Sequence, residues 1–214
     1  FKSNFISPIV VLSILISSQI PTYADNLIQN ITSRSVFTLN GKWNYIIDPY
    51  ETGFYDYRYK PFDEMKNPGS GAFFLDKTPK DATELIEYSF DKSPTLIVPG
   101  DWNSQDDKLM YYEGTIWYRR KFDYTPKASD NRVYVHFGAA NYETHVYLNG
   151  KKLGSHVGGF TPFNFEITKL LKPENNSLVV KVDNKRKREG VPTLNTDWWN
   201  YGGITREVSI IEVP

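Results

Sequence analysis

A period of two runs through most of this chain, and it leaves little room for anything but β-structure. Successive side chains of a strand point to opposite faces, so Arg132-Val133-Tyr134-Val135-His136-Phe137 gathers Val133, Val135 and Phe137 on one side. Similar runs follow at Trp117–Phe122, Thr144–Leu148, Phe163–Ile167, Leu178–Val182 and Arg206–Val213. Asn149-Gly150, flanked by such runs, signals a tight hairpin, because both central positions of a type I′ turn need positive φ. Thr38-Leu39-Asn40-Gly41-Lys42-Trp43 reads the same way: a strand end, an Asn-Gly turn and a new strand to Ile47. Roughly eight or nine short strands with almost no helical period predict an all-β fold, an antiparallel β-sandwich of the jelly-roll kind.

One long stretch breaks the pattern. Residues 48–94 hold Pro49, Pro61, Pro68, Pro79 and Pro94 among many tyrosines, with no sustained period. A loop of that length inside a domain is uncommon and is usually functional or partly structured. Asp81 as N-cap with Glu84 three residues on predicts one short helix at 81–86. Residues 25–35 are polar and read as a linker, which leaves 36–214 as the domain.

The first 24 residues read as a signal peptide rather than as fold. Lys2, an apolar run from Ile9 to Ile16 and the small residue Ala24 supply its three parts. The run is shorter than the roughly 20 residues that a membrane span needs, so no membrane association is expected once the peptide is removed. A start at Phe1 rather than methionine predicts a clipped N-terminus, and a stop at Pro214 directly after a strand suits a free domain or a domain border. With no cysteine, disulfides, thiolate metal sites and a lipoprotein anchor are all excluded. Export without cysteine points to a bacterial periplasm or exterior.

Composition narrows the chemistry. Twenty-five basic and 25 acidic residues give zero formal charge, so no positive field exists for nucleic acid. The 15 Tyr, 13 Phe and 5 Trp either fill sheet surfaces or form stacking platforms for sugar rings. His136, His145 and His156 lack metal-ligand spacing, and His136 and His145 are expected to be satisfied structural residues within strands. No nucleophile elbow and no phosphate-cradling loop is present, and neither metal nor cofactor is expected. Spacing singles out no carboxylate pair of the kind glycoside hydrolysis needs. The run Lys185-Arg186-Lys187-Arg188 reads as a solvated loop, or else as a contact for an anion or acidic sugar. Between Asn195 and Arg206, Asp197, Trp198, Trp199, Asn200 and Tyr201 precede two glycines. Flat rings beside a carboxylate suit sugar recognition; on physical grounds, packing for the tryptophans and capping for Asp197 are equally open.

Asp197-Trp198-Trp199-Asn200-Tyr201-Gly202-Gly203-Ile204-Thr205-Arg206 resembles a segment of β-glucuronidases and, more loosely, β-galactosidases of glycoside hydrolase family 2. Leu39-Asn40-Gly41-Lys42-Trp43, Val98-Pro99-Gly100-Asp101-Trp102-Asn103 and Tyr112-Glu113-Gly114-Thr115-Ile116-Trp117-Tyr118-Arg119-Arg120 resemble other family segments, in order. Val146–Gly150 and Gly158–Phe163 complete the series. The resemblance implies a jelly-roll, galactose-binding-like sugar-binding domain over 36–214, followed by an immunoglobulin-like domain and a (β/α)8 barrel of the same polypeptide. It places both catalytic glutamates on that barrel, so no catalytic residue is expected here. It implies that Asp197 contacts the sugar, with Trp198, Trp199, Asn200 and Tyr201 shaping or bracing that edge. The parent would be a retaining exo-β-glycosidase with a β-glycoside as partner. A stand-alone carbohydrate-binding module without catalysis and a purely buttressing sandwich are the alternatives. The 48–94 stretch departs from the family, and as a rim loop it would alter specificity.

Overall fold

The structure is a computed structural model that describes residues 27–79, 81, 83–84 and 88–214. Ten strands make two sheets: β1 (Val36–Thr38), β2 (Gly41–Ile47), β3 (Thr95–Val98), β4 (Thr115–Phe122), β5 (Arg132–Phe137), β6 (Glu143–Leu148), β7 (Lys151–Val157), β8 (Phe163–Glu166), β9 (Asn176–Asp183) and β10 (Val208–Val213). The smaller sheet has the order β1-β10-β5-β8 and the larger β3-β2-β4-β9-β6-β7. Every neighbouring pair is antiparallel. Among the described residues there is no α-helix, only short 3-10 turns. The chain is an antiparallel β-sandwich.

Alternation builds the core between the sheets. Val133, Val135 and Phe137 of β5 meet Ile116, Tyr118 and Phe122 of β4 and Leu178, Val180 and Val182 of β9. Phe137 stacks on Phe163 with centroids 4.8 Å apart. The hairpin at Asn149-Gly150 forms as its residues require, with φ of 52° and 76° and Leu148 opposite Lys151.

A second apolar cluster lies on the outer face of the larger sheet, and residues 48–94 provide most of it. The strand residues between the core positions are Ile46, Trp117, Tyr147 and Val179, and they point outward. Phe54, Ala72, Phe74 and Phe90 close over them. Phe74 stacks on Tyr147 at 4.5 Å. Much of the stretch is thus a cover on the sheet, not a loop hanging at a rim, and it leaves β4 buried on both faces.

Carboxylates pin this cover down. Asp48 accepts from the Trp117 indole at 2.9 Å, and Asp63 from the Tyr147 hydroxyl at 2.7 Å and Lys152 at 2.9 Å. Asp76 and Asp91 accept from Arg119 at 3.0 and 2.7 Å, and Glu51 from Lys181 at 2.7 Å. Lys181 and Arg119 are buried, and buried cations without such partners would be costly. Burial alone would raise the Glu51 pKa, but Lys181 and Lys185 outweigh it and hold it below the usual range. The hydrogen bond from Arg119 depresses Asp91 likewise.

Several expectations change. Asn40-Gly41 is not a hairpin: β1 lies in one sheet and β2 in the other, so the pair carries the chain across the sandwich. There Asn40 accepts from the Val208 amide at 3.0 Å. The edge strand β3 escapes a period-two reading because it is four residues long and sits between two prolines. Three of the four residues of the basic run are engaged rather than free: Lys185 pairs with Glu51, Arg186 with Glu113 and Lys187 with Glu143, while Arg188 is exposed. His145 is satisfied only in part: its Nε2 bonds Glu143 at 3.1 Å, but its Nδ1 is buried without a hydrogen-bond partner. His136 is structural but not satisfied: its Nε2 is buried without a hydrogen-bond partner, and burial lowers its pKa. The stretch expected as a linker is tied to the smaller sheet, Ile28 N donating to Asn164 at 2.9 Å. Residues 1–24, expected as a signal peptide, and half of the helix expected at 81–86 (positions 82, 85 and 86) lie outside the described residues.

Candidate functional site

Two loops meet at one end of the sandwich. One runs from β3 into β4, the other from β9 into β10, and backbone bonds zip them together. Gly100 N donates to Ile204 O, and Trp102 N to Gly202 O, each at 2.9 Å. The approach depends on glycine. A Cβ on Gly202 would lie 2.0 Å from the buried Trp102 ring, and Gly203 takes a φ of 126°. Four buried asparagines finish the clasp. Asn103 accepts from Gly202 N at 2.9 Å, while its amide donates to Leu109 O at 2.9 Å. Asn184 and Asn200 donate to each other's carbonyls, and Asn141 donates to Asn200 Oδ1 at 3.2 Å. Side-chain amides suit this task because each offers donors and an acceptor to backbone that no sheet pairs.

The clasp presents a ring-rich edge. Trp198, Trp199, Tyr201 and Tyr111 are 67, 47, 51 and 79% exposed. Trp199 lies between Tyr111 and Tyr201, with centroids 5.3 and 6.1 Å away. A cavity of about 200 Å³ opens beside them, lined in part by Asn103, Glu113, Arg186, Asp197 and Trp198. Asp197 is exposed there and its carboxylate has no hydrogen bond or ion pair among the described residues. Arg186, by contrast, is engaged through all three guanidinium nitrogens. Its guanidinium donates to Glu113 at 2.9 Å, Thr196 O at 2.6 Å and Trp198 O at 2.8 Å. The arrangement can stack a sugar face on a ring and accept hydroxyl protons at a fixed carboxylate. A larger cavity, about 770 Å³, lies apart beside Tyr45, Tyr88 and Lys92 and contains none of these residues.

The five residues singled out in sequence therefore divide. Asp197, Trp198, Trp199 and Tyr201 lie at the exposed edge, whereas Asn200 is buried in the clasp. Sequence reasoning missed Asn103, Tyr111, Glu113 and Arg186 as members of the same edge. Arg186 was hidden in a run of like charges, and the only signal for it was Glu113 of opposite sign in a motif far along the chain.

Comparison with known proteins identifies the family and the fold. Residues 65–214 match the family described as "Glycosyl hydrolases family 2, sugar binding domain". A β-glucuronidase of Formosa agariphila is 33% identical over 153 residues, covering 63% of this chain and 16% of that protein. A β-galactosidase of Thermoanaerobacter pseudethanolicus is 31% identical over 142 residues, covering 61% of this chain and 19% of its own length. The chain thus spans less than a fifth of either relative. Among solved structures, a β-glucuronidase from an uncultured Clostridium superposes with a TM-score of 0.68 at 25% identity, over 90% of this chain and 31% of that one.

Proposed function

Because this chain belongs to glycosyl hydrolase family 2, matching its sugar-binding domain, we propose that it serves a retaining exo-β-glycosidase acting on β-glucuronides or β-galactosides. The unpaired Asp197 carboxylate, set among exposed rings on a loop of fixed backbone, carries this reading. The bond-breaking step needs two carboxyl groups about 5 to 5.5 Å apart, supplied in this proposal by glutamates of a barrel elsewhere in the same polypeptide. Asp197 accepts hydroxyl hydrogen bonds of the terminal sugar and orients it. Trp198 and Trp199 border the pocket, Tyr201 flanks Trp199, and the buried Asn200 braces the edge. Export to the periplasm or exterior, directed by residues 1–24, belongs to the same proposal.

A panel of p-nitrophenyl β-glycosides, offered to residues 25–214 and to the longer gene product, tests this. Turnover by the longer product alone is expected, and the preferred glycoside names the substrate. Turnover by residues 25–214 would sink the proposal and send the search for a carboxylate pair into the sandwich. The stand-alone binding module rests on the row of rings Tyr111, Trp199 and Tyr201. It would replace the glycosidase reading if residues 25–214 bound glycans tightly and lost that binding in Trp198→Ala.

A further inference from the structure

We propose that Arg186 is the positioning residue for Asp197, and that Glu113 keeps it in that role; the inference rests on Asp197 contacting the sugar. The Arg186 guanidinium spans the residue it serves. One arm holds the carbonyl of Thr196 at 2.6 Å and the other that of Trp198 at 2.8 Å, so one rigid fork fixes the peptide entering Asp197 and the next but one after it, the Trp198–Trp199 peptide. Arg186 is rooted at the end of β9, and its Nε–H is fixed in turn by Glu113, just before β4. The clamp therefore ties the Asp197 loop to the two central strands of the larger sheet.

Glu113 has a second consequence. Arg186 and Asp197 line the same cavity, and a guanidinium without Glu113 is free to seek that carboxylate; an acceptor closed by an ion pair no longer serves a sugar hydroxyl. With Glu113 neutralising Arg186, the Asp197 carboxylate stays open. The same contacts weigh against Arg186 as the acidic-sugar contact that its place in a basic run suggests: each of its three guanidinium nitrogens already donates to a protein oxygen.

The test is a double-mutant cycle in the longer gene product, with kcat/KM read on the p-nitrophenyl glycoside it turns over fastest. Arg186→Lys keeps the charge but loses the fork, and a fall of about ten- to a hundredfold is expected, the scale of a misplacement near 1 Å. In the Asp197→Ala background the same change should alter kcat/KM less than twofold, because nothing remains to position. Glu113→Gln gives a second route: a fall of about tenfold alone, and none in that background. Falls that multiply with Asp197→Ala overturn the clamp while leaving the role of Asp197 intact. Wild-type kcat/KM in Asp197→Ala itself overturns the underlying reading, and the clamp with it. Wild-type kcat/KM in both Arg186→Lys and Glu113→Gln overturns the clamp alone.

Discussion

The two apolar clusters on either side of the larger sheet are held by different physics. Between the sheets, contact is nearly all hydrocarbon: Val133, Val135, Phe137, Ile116 and Val180 interlock with no charge among them. On the outer face, Phe54, Phe74 and Phe90 pack just as fully, but Asp48, Glu51, Asp63, Asp76 and Asp91 of the cover also meet donors on the strands beneath. Hydrocarbon packing is non-directional and insensitive to pH, whereas a carboxylate on a buried cation is specific and titrates. One layer sets the stability of the sandwich; the other is a lid whose grip depends on ionisation.

The largest expected effect breaks the inner layer. Phe137→Ala removes a fully buried ring and should cost about 3–5 kcal/mol in urea denaturation, unfolding the chain as one unit. Phe74→Ala is the matched change in the cover. It should speed amide exchange in residues 51–76 while leaving β5 and β10 protected, and equal acceleration everywhere would abolish the distinction.

A smaller effect is expected from the ion pairs. Glu51→Gln leaves the Lys181 ammonium buried without its carboxylate, a loss of about 2 kcal/mol. Adding Lys181→Met should restore most of it, since replacing a buried pair by apolar volume is often neutral. If the double variant is as weak as the single one, the pair is not what binds the cover.

The mildest perturbation is acid. Glu51 and Asp91 have pKa values below their ordinary 4.5 and 3.8, so the folded state favours their ionised forms. Their contribution is complete above those ordinary values and is lost as pH falls through the lowered ones. After solvent screening it amounts to about 1 kcal/mol apiece or less. Exchange in residues 51–76 should therefore quicken relative to β5 as pH drops below 4.5; parallel profiles at every pH would count against the lid.

What could be read in sequence follows the same divide. Strands β4 to β10 were visible because a hydrocarbon core imposes a period of two. The cover was not, because its contacts come from 3-10 turns and isolated carboxylates with no period to detect. Asn149-Gly150 and Asn40-Gly41 look alike as dipeptides. Only the partner strands, which are tertiary facts, make the first a hairpin and the second a crossing. At the candidate site, the cluster Asp197–Tyr201 was visible as composition. The burial of Asn200 and the engagement of Arg186 were not, since both rest on contacts with residues 10 to 73 positions away that follow no period.

The loop that carries Asp197 is gripped mostly by its main chain. Arg186 holds the carbonyls of Thr196 and Trp198, Asn184 holds that of Asn200, and Trp102 N holds that of Gly202. A carbonyl is the same on every residue, so these anchors do not register which side chains the loop displays. Positions 197 to 199 can consequently be exchanged without rebuilding their support. A lineage could retune this rim by single substitutions, changing what the loop offers while keeping the frame that offers it.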